Sequence, residues 1–247
     1  MLEDGGPTRT RTTVADAPDL VSRQELARLQ AELARRIIES PLEIPPRTIA
    51  GADVHVRGDR GVAVAVCFEL TEDPTTARAL DPLPIREVER AVVETTVTLP
   101  YVPGFLSFRE APAIMAAIRS LRRPPDLLLV DGQGRAHPRR CGLASHVGIL
   151  LDVPTIGVAK SRLFGRYREP EHVRGAWTPL TADSEVVGAA VRTRVGAKPI
   201  FVSVGHRITL AEAILWVVRL SRYRLPEPIR WAHRYAEEAV AHLDATS

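Results

Sequence analysis

Apolar residues recur at three- and four-residue steps early in the chain, at Leu26, Leu29, Leu33 and Ile37, which predicts an amphipathic helix from about Asp19 that ends before Pro41. Valine-rich runs follow, and Ile49–Val56, Val62–Leu70 and Val88–Leu99 alternate well enough to be sheet. Gly58-Asp59-Arg60-Gly61 supplies turn chemistry between the first two, so they read as an antiparallel hairpin. After a proline-containing loop, a helix is expected from about Glu110 to Leu121, stopped by Pro124-Pro125. Asp126–Val130 and Thr155–Ala159 are short apolar runs typical of strands covered on both faces, with Ser145–Leu151 read as the helix between them. Val186–Arg192 and Pro199–Val204 read as later strands joined through a turn at Gly196. Thr209 with Glu212 forms a capping box that opens a helix to about Arg222, and Pro228 suits the first turn of a last helix to about Leu243. This order predicts a single α/β domain over 19–247, a mixed sheet flanked by helices, preceded by a disordered leader at 1–18.

Composition narrows this picture only modestly. The 247 residues are 45% hydrophobic and 26% charged with mean hydropathy -0.04, as in ordinary globular proteins. A net charge of +3 and a pI near 9.2 are compatible with a phosphate-rich partner but do not require one. Cys67 and Cys141 form no metal-spaced pair and read as free thiols of a reducing compartment. The first residues lack a secretory pattern and no apolar run reaches the length of a membrane span, so a cytoplasmic location is expected.

Three carboxylates stand out. Asp53 lies in Ile49–Val54, a strand segment with nothing else polar, where burial is costly unless a cation, a donor or solvent meets it; standing alone, it reads as an edge-strand residue facing water. Asp131 ends an apolar strand and precedes Gly132-Gln133-Gly134, a position that often lines ligand crevices but also suits a plain Asp-Gly turn. Glu110 closes a stiff, aromatic-rich segment, Pro100 to Glu110, in which Pro100 and Pro103 bracket Tyr101. That ring could enter a base stack or cover the core. Carboxylates from separate elements suit Mg2+ chemistry on phosphodiesters, although spacing alone does not show convergence. His137, Lys160 and His206 all sit at element boundaries.

These segments together resemble the endonuclease V family. The resemblance rests on Pro100–Glu110, Val130–Arg140 and Asp152–Ser161, with Ala50-Gly51-Ala52-Asp53 and Val202–Arg207 in the same order, and covers roughly residues 20 to 225. It implies an RNase H-like fold and a Mg2+-dependent DNA repair endonuclease, with Mn2+ able to substitute. The implied substrate is DNA containing deoxyinosine, a deaminated purine, cut at the second phosphodiester bond 3′ to the lesion. Inosine-containing RNA is a second substrate class, and a monomer is expected. By resemblance, Asp53, Asp131 and Glu110 are the metal-binding acids and His206 completes the catalytic set. Tyr101 is the wedge for the displaced base, flanked by Pro100, Pro103 and Arg109. His137 and Lys160 contact DNA or the cleavage site, and Gly132 and Gly134 wall the base pocket. The family often carries His where Gln133 stands, and Val where Ala52 stands.

Overall fold

The alternation of valine and alanine along the second strand sets the architecture. The computed structural model describes residues 22–97 and 99–245, with side chains to 242; the proposed leader at 1–18 lies outside them. Strands β1 (Thr48–Arg57), β2 (Arg60–Leu70) and β3 (Ile85–Thr96) form an antiparallel meander. Helix α2 (Leu106–Arg119), β4 (Leu127–Asp131), α3 (Leu143–Leu151) and β5 (Thr155–Ala159) follow α1 (Arg23–Ala34) and that meander. Strands β6 (Trp177–Ala182), β7 (Glu185–Val191) and β8 (Ile200–His206) precede the last helices, α4 (Leu210–Arg219) and α5 (Glu227–Ala245). The eight strands form one mixed sheet in the order β3-β2-β1-β4-β5-β8-β7-β6, with β1–β4 and β4–β5 parallel.

On β2 the period-two rule divides the side chains cleanly. Ala63, Ala65 and Cys67 face α2, whose Ala111, Ala113 and Ala117 let the helix approach closely. Val62, Val64, Val66 and Phe68 face α5 through Ala232, Ala236 and Val240. Thus α2 and α3 cover one face of the sheet, while α4 and α5 cover the other. Gly51 marks the closest approach of α5: a Cβ there would lie 2.0 Å from the Pro228 carbonyl oxygen. The N-terminal turn of α5 therefore rests directly on β1, two residues before Asp53.

Several boundaries differ from those the sequence suggests. Helix α2 begins at Leu106, which leaves Pro112 inside the helix rather than in its first turn. Burial of Ser107, Ala111 and Ile114 along one stripe outweighs the hydrogen bond that proline cannot make. Helix α1 stops at Ala34, and Ile37 packs on the core from the segment beyond. Strand β3 starts and ends three residues earlier than expected, at Ile85 and Thr96. Strand β6 was not anticipated; it is an outer strand with Pro179 in it and mostly outward-facing side chains, so it lacks an apolar pattern. The expected capping box of Thr209 and Glu212 is present, and Ser22 with Glu25 forms another that opens α1. Cys67 and Cys141 are free and buried, and burial pushes their thiols up to about 11 and about 12, as inert thiols require. Among the described residues, no helix is long and apolar enough to cross a membrane.

Candidate active site

Parallel pairing of β1 with β4 brings Asp53 and Asp131 together, because Ala52 is the partner of Val130 and each aspartate is the next residue along its strand. The third member comes from α5. His233 Nδ1 lies 2.7 Å from Asp53 Oδ2, and ligand atoms of Asp53, Asp131 and His233 all lie within 4.8 Å of one another. Two carboxylates and an imidazole at that spacing can hold a divalent ion. Sequence reasoning left His233 unassigned. A legible signal existed, since Ile229, Ala232, Ala236 and Val240 mark the buried stripe of α5 and His233 flanks it.

Burial raises the Asp53 carboxyl above its ordinary range, and neighbouring Asp131 adds to the rise, while His233 and Lys160 oppose it. The Val54 amide donates to Asp53 Oδ1 at 2.9 Å. Lys160, at the end of β5, holds its Nζ 3.0 Å from Asp131 Oδ2. Glu110 faces the cluster from the second turn of α2, outside the close set of three. Burial, reinforced by Asp53 and Asp131, pushes its carboxyl up to about 7, against a smaller opposing pull from Arg109. A carboxyl raised chiefly by burial and by two other acids marks a place where cationic charge would be strongly favoured.

His206 is not part of this constellation. Antiparallel β5–β8 pairing sets it opposite Thr155, at the start of β5, whereas Asp131 pairs with Val158 near the other end. Three residues of strand separate the two levels by about 10 Å. There His206 Nε2 meets Asp152 Oδ1 at 3.2 Å, and the Ile38 amide donates to Nδ1. Burial lowers its basicity, partly offset by Asp152. Its place in the structure is a tie between β8, the α3 end and the segment after α1.

His137 also differs from a surface contact. It is only 4% exposed, and burial, aided by Arg139, pushes its imidazole down to about 4. Both His137 and Arg139 bind the Gly104 carbonyl, with Arg139 Nη2 at 2.6 Å. Arg139 further stacks 4.2 Å from the Phe105 ring centre and donates to Gln30 Oε1. These contacts anchor the loop from Pro100 to Phe105 at its base, while Tyr101 at its tip is 64% exposed. Pro100 and Pro103 are exposed beside it, and Arg109 lies one helical turn along α2, next to Glu110.

Gly134, in the turn after Asp131, is packed too tightly to carry a side chain. A Cβ on Gly134 would lie 2.1 Å from the Val204 oxygen, and its amide donates to Ser203 Oγ at 2.8 Å. The Gly132 amide donates to the Val158 carbonyl. This backbone is committed internally, so it can form a wall rather than a row of free donors.

A family model described as Endonuclease V matches residues 31–234. The chain belongs to the Endonuclease V family. The match runs past residue 225, where the sequence resemblance was drawn to end, and takes in His233. Endonuclease V of Roseiflexus sp. (strain RS-1) is 46% identical over 222 residues, covering 90% of this chain and 95% of that protein. Among solved structures, Endonuclease V of Streptomyces avermitilis superposes with TM-score 0.80 at 40% identity, covering 92% of this chain and 95% of the other. Endonuclease V of Ciona intestinalis, solved with a 24mer DNA containing an inosine followed by a ribo-adenosine, gives 0.75 at 26% identity, covering 89% and 98%. Endonuclease V thus names both the sequence family and the fold, a nuclease built on one mixed sheet.

Proposed function

We propose that this protein is a Mg2+-dependent endonuclease that recognises deoxyinosine in DNA and hydrolyses the second phosphodiester bond 3′ to it. The observation that carries the reading is the close set of Asp53, Asp131 and His233 in a chain of this family, with Glu110 facing it. The inosine-containing DNA bound by the Ciona relative supports the substrate class.

In this reading Asp53 and Asp131 would hold the ion through their carboxylates, with His233 completing the set from α5. When bound, the ion supplies an activated water and offsets negative charge on the leaving oxygen. Glu110 acts from α2 through a water, orienting it by accepting its proton-side hydrogen bond. Lys160 Nζ holds Asp131 in position and brings a positive charge to the scissile phosphate. Tyr101, on its anchored loop, fills the gap left by the displaced base, which is cheapest to extrude when poorly paired. Buried Gln133 donates to the Ser161 carbonyl at 3.1 Å and leaves its Oε1 without a partner among the described residues, in the turn expected to wall the base pocket. His137 serves through the loop it anchors, and His206 serves the fold.

The test is nicking of a duplex with one deoxyinosine, in Mg2+, in Mn2+ and in EDTA, with the new end mapped to the nucleotide. Cutting at the second bond 3′ to inosine in either ion, and none in EDTA, is expected. Equal cutting of an undamaged duplex would sink the reading. The ribo-adenosine in the Ciona complex makes an inosine-containing RNA the proper second substrate, compared by kcat/KM.

A further inference from the structure

The connection between α4 and α5 carries a half-exposed aromatic ring with two guanidinium groups near it. Tyr223 is 49% exposed, with Arg230 Cζ 4.2 Å and Arg194 Cζ 5.9 Å from its ring centre. Arg194 sits in the exposed turn between β7 and β8, with Lys198 exposed in the same turn. The neighbouring residue Arg224 fixes the connection to that turn and to β5, donating to the carbonyls of Lys198, Pro199 and Lys160. Its own carbonyl accepts from Thr193 Oγ1 at 2.5 Å.

Two routes tie this patch to the reaction centre. Arg224 binds the backbone of Lys160, whose Nζ reaches Asp131. Arg230 precedes His233 by three residues on α5, about one helical turn or 5 Å away on the same face. A nucleic-acid strand rising about 3.4 Å per nucleotide passes from the centre to the patch within a few nucleotides. Tyr101 does not serve this position, because it precedes α2 while Tyr223 precedes α5, and those helices cover opposite faces of the sheet.

We propose that Tyr223, Arg194 and Arg230 form a second nucleic-acid contact, which holds the strand flanking the cleaved bond on the α5 side. The exposed part of the ring takes a base or sugar, and the guanidiniums take the adjacent phosphates, a pairing of stacking platform and cations that suits single or frayed strands without sequence preference. The inference rests on the nuclease reading above and adds a place on the surface where substrate length is sensed. Two tyrosines, one on each side of the carboxylates, then bracket the strand.

The experiment uses full-length protein and inosine duplexes with long flanks, or with either flank cut back to a few base pairs. Tyr223→Ala is expected to raise KM on the long duplex on the order of tenfold with kcat unchanged, from the loss of one stacking contact. Arg194→Gln, in an exposed turn, is expected to lower the slope of log Kd against log salt by about 0.9, the signature of one lost phosphate contact, measured by anisotropy in EDTA. On the duplex trimmed at the relevant flank, both variants should match wild type. An unchanged salt slope for Arg194→Gln, or equal losses on long and trimmed duplexes, overturns the proposal and leaves the cation–π cluster a packing device of the loop. Wild-type nicking of the same duplex is the control: its absence sinks the functional reading, whereas its presence beside an unaltered Arg194→Gln sinks only this inference.

Discussion

Glu110 offers the sharpest test of the site, because its proton competes with the ion. Its carboxyl moves from an ordinary 4.5 to about 7, through burial first and the two aspartates next. At about 1.4 kcal/mol per unit of pKa, ionising it in the metal-free fold costs about 3 kcal/mol at high pH. A raised folded-state pKa contributes stability that is fully present below 4.5 and lost as pH rises through 7. A divalent ion reverses that loss. Near pH 6 only about one Glu110 in ten is ionised, so the ion lacks a neighbouring negative charge there, and its affinity should be weaker than at pH 8 by up to about tenfold. Mn2+ binding by electron paramagnetic resonance from pH 6 to 8 measures this directly. Glu110→Gln should bind more weakly throughout and with a flatter pH dependence, the residue of slope belonging to Asp53. Thermal melts give a second reading, with the gain in Tm on adding Mn2+ growing with pH in wild type. His137 and His146, both pushed down to about 4 by burial, contribute stability above about 6.5 that is lost as pH falls toward 4. That opposite trend occupies the same window, so the difference between Glu110→Gln and wild type is the quantity to compare. Mn2+ affinity that is level from pH 6 to 8, or a Glu110→Gln variant with the wild-type slope, refutes the argument.

Other expectations follow from the same geometry. His233→Ala should lose at least the roughly 10- to 100-fold in metal affinity or activity typical of a residue behind a ligand, whereas His206→Ala should lower Tm but retain kcat; the opposite ranking would restore His206 to the site. Gly51→Ala should cost about 1–3 kcal/mol through overpacking and weaken Mn2+ binding with it, since α5 carries His233; an unshifted melt would show that α5 does not rest on β1 as described. Arg139→Ala should mimic Tyr101→Ala, each costing on the order of tenfold on inosine duplex from lost stacking. The double variant should lose little more than either single one, and full additivity would disconnect the anchor from the wedge.

How far the sequence reaches depends on whether local chemistry or distant packing decides a position. Asp131 was legible because an apolar strand ends there, and Asp53 because the residues from Ile49 to Val54 around it are apolar. Thr209 and Glu212 announced their helix through the cap alone. By contrast, β6 hides because an outer strand carrying Pro179 buries little, and the start of α2 hides because Pro112 signals a boundary that core burial overrides. His206 misled because a histidine at a strand end is a common site pattern, and only the antiparallel direction of β8 turns it away from Asp131. His233 carried only the weak signal of flanking a buried helical stripe. Its partner lies across the sheet, and no local motif records that Gly51 makes room for the helix bearing it.

That last contact sets an order of events in the cell's making of the enzyme. His233 and Asp53 lie 180 residues apart, so at ribosomal speeds roughly 10 to 40 s separate their synthesis. During that interval β1, β2 and β4 can pair, but Val62, Val64, Val66 and Phe68 have no helix over them, and the aspartates have no imidazole beside them. Covering of the sheet and completion of the ligand set are therefore one event, the docking of α5. A ribosome that stalls before this helix leaves a chain with an open apolar face, visible to chaperones and proteases, and without the assembled centre needed to cut nucleic acid.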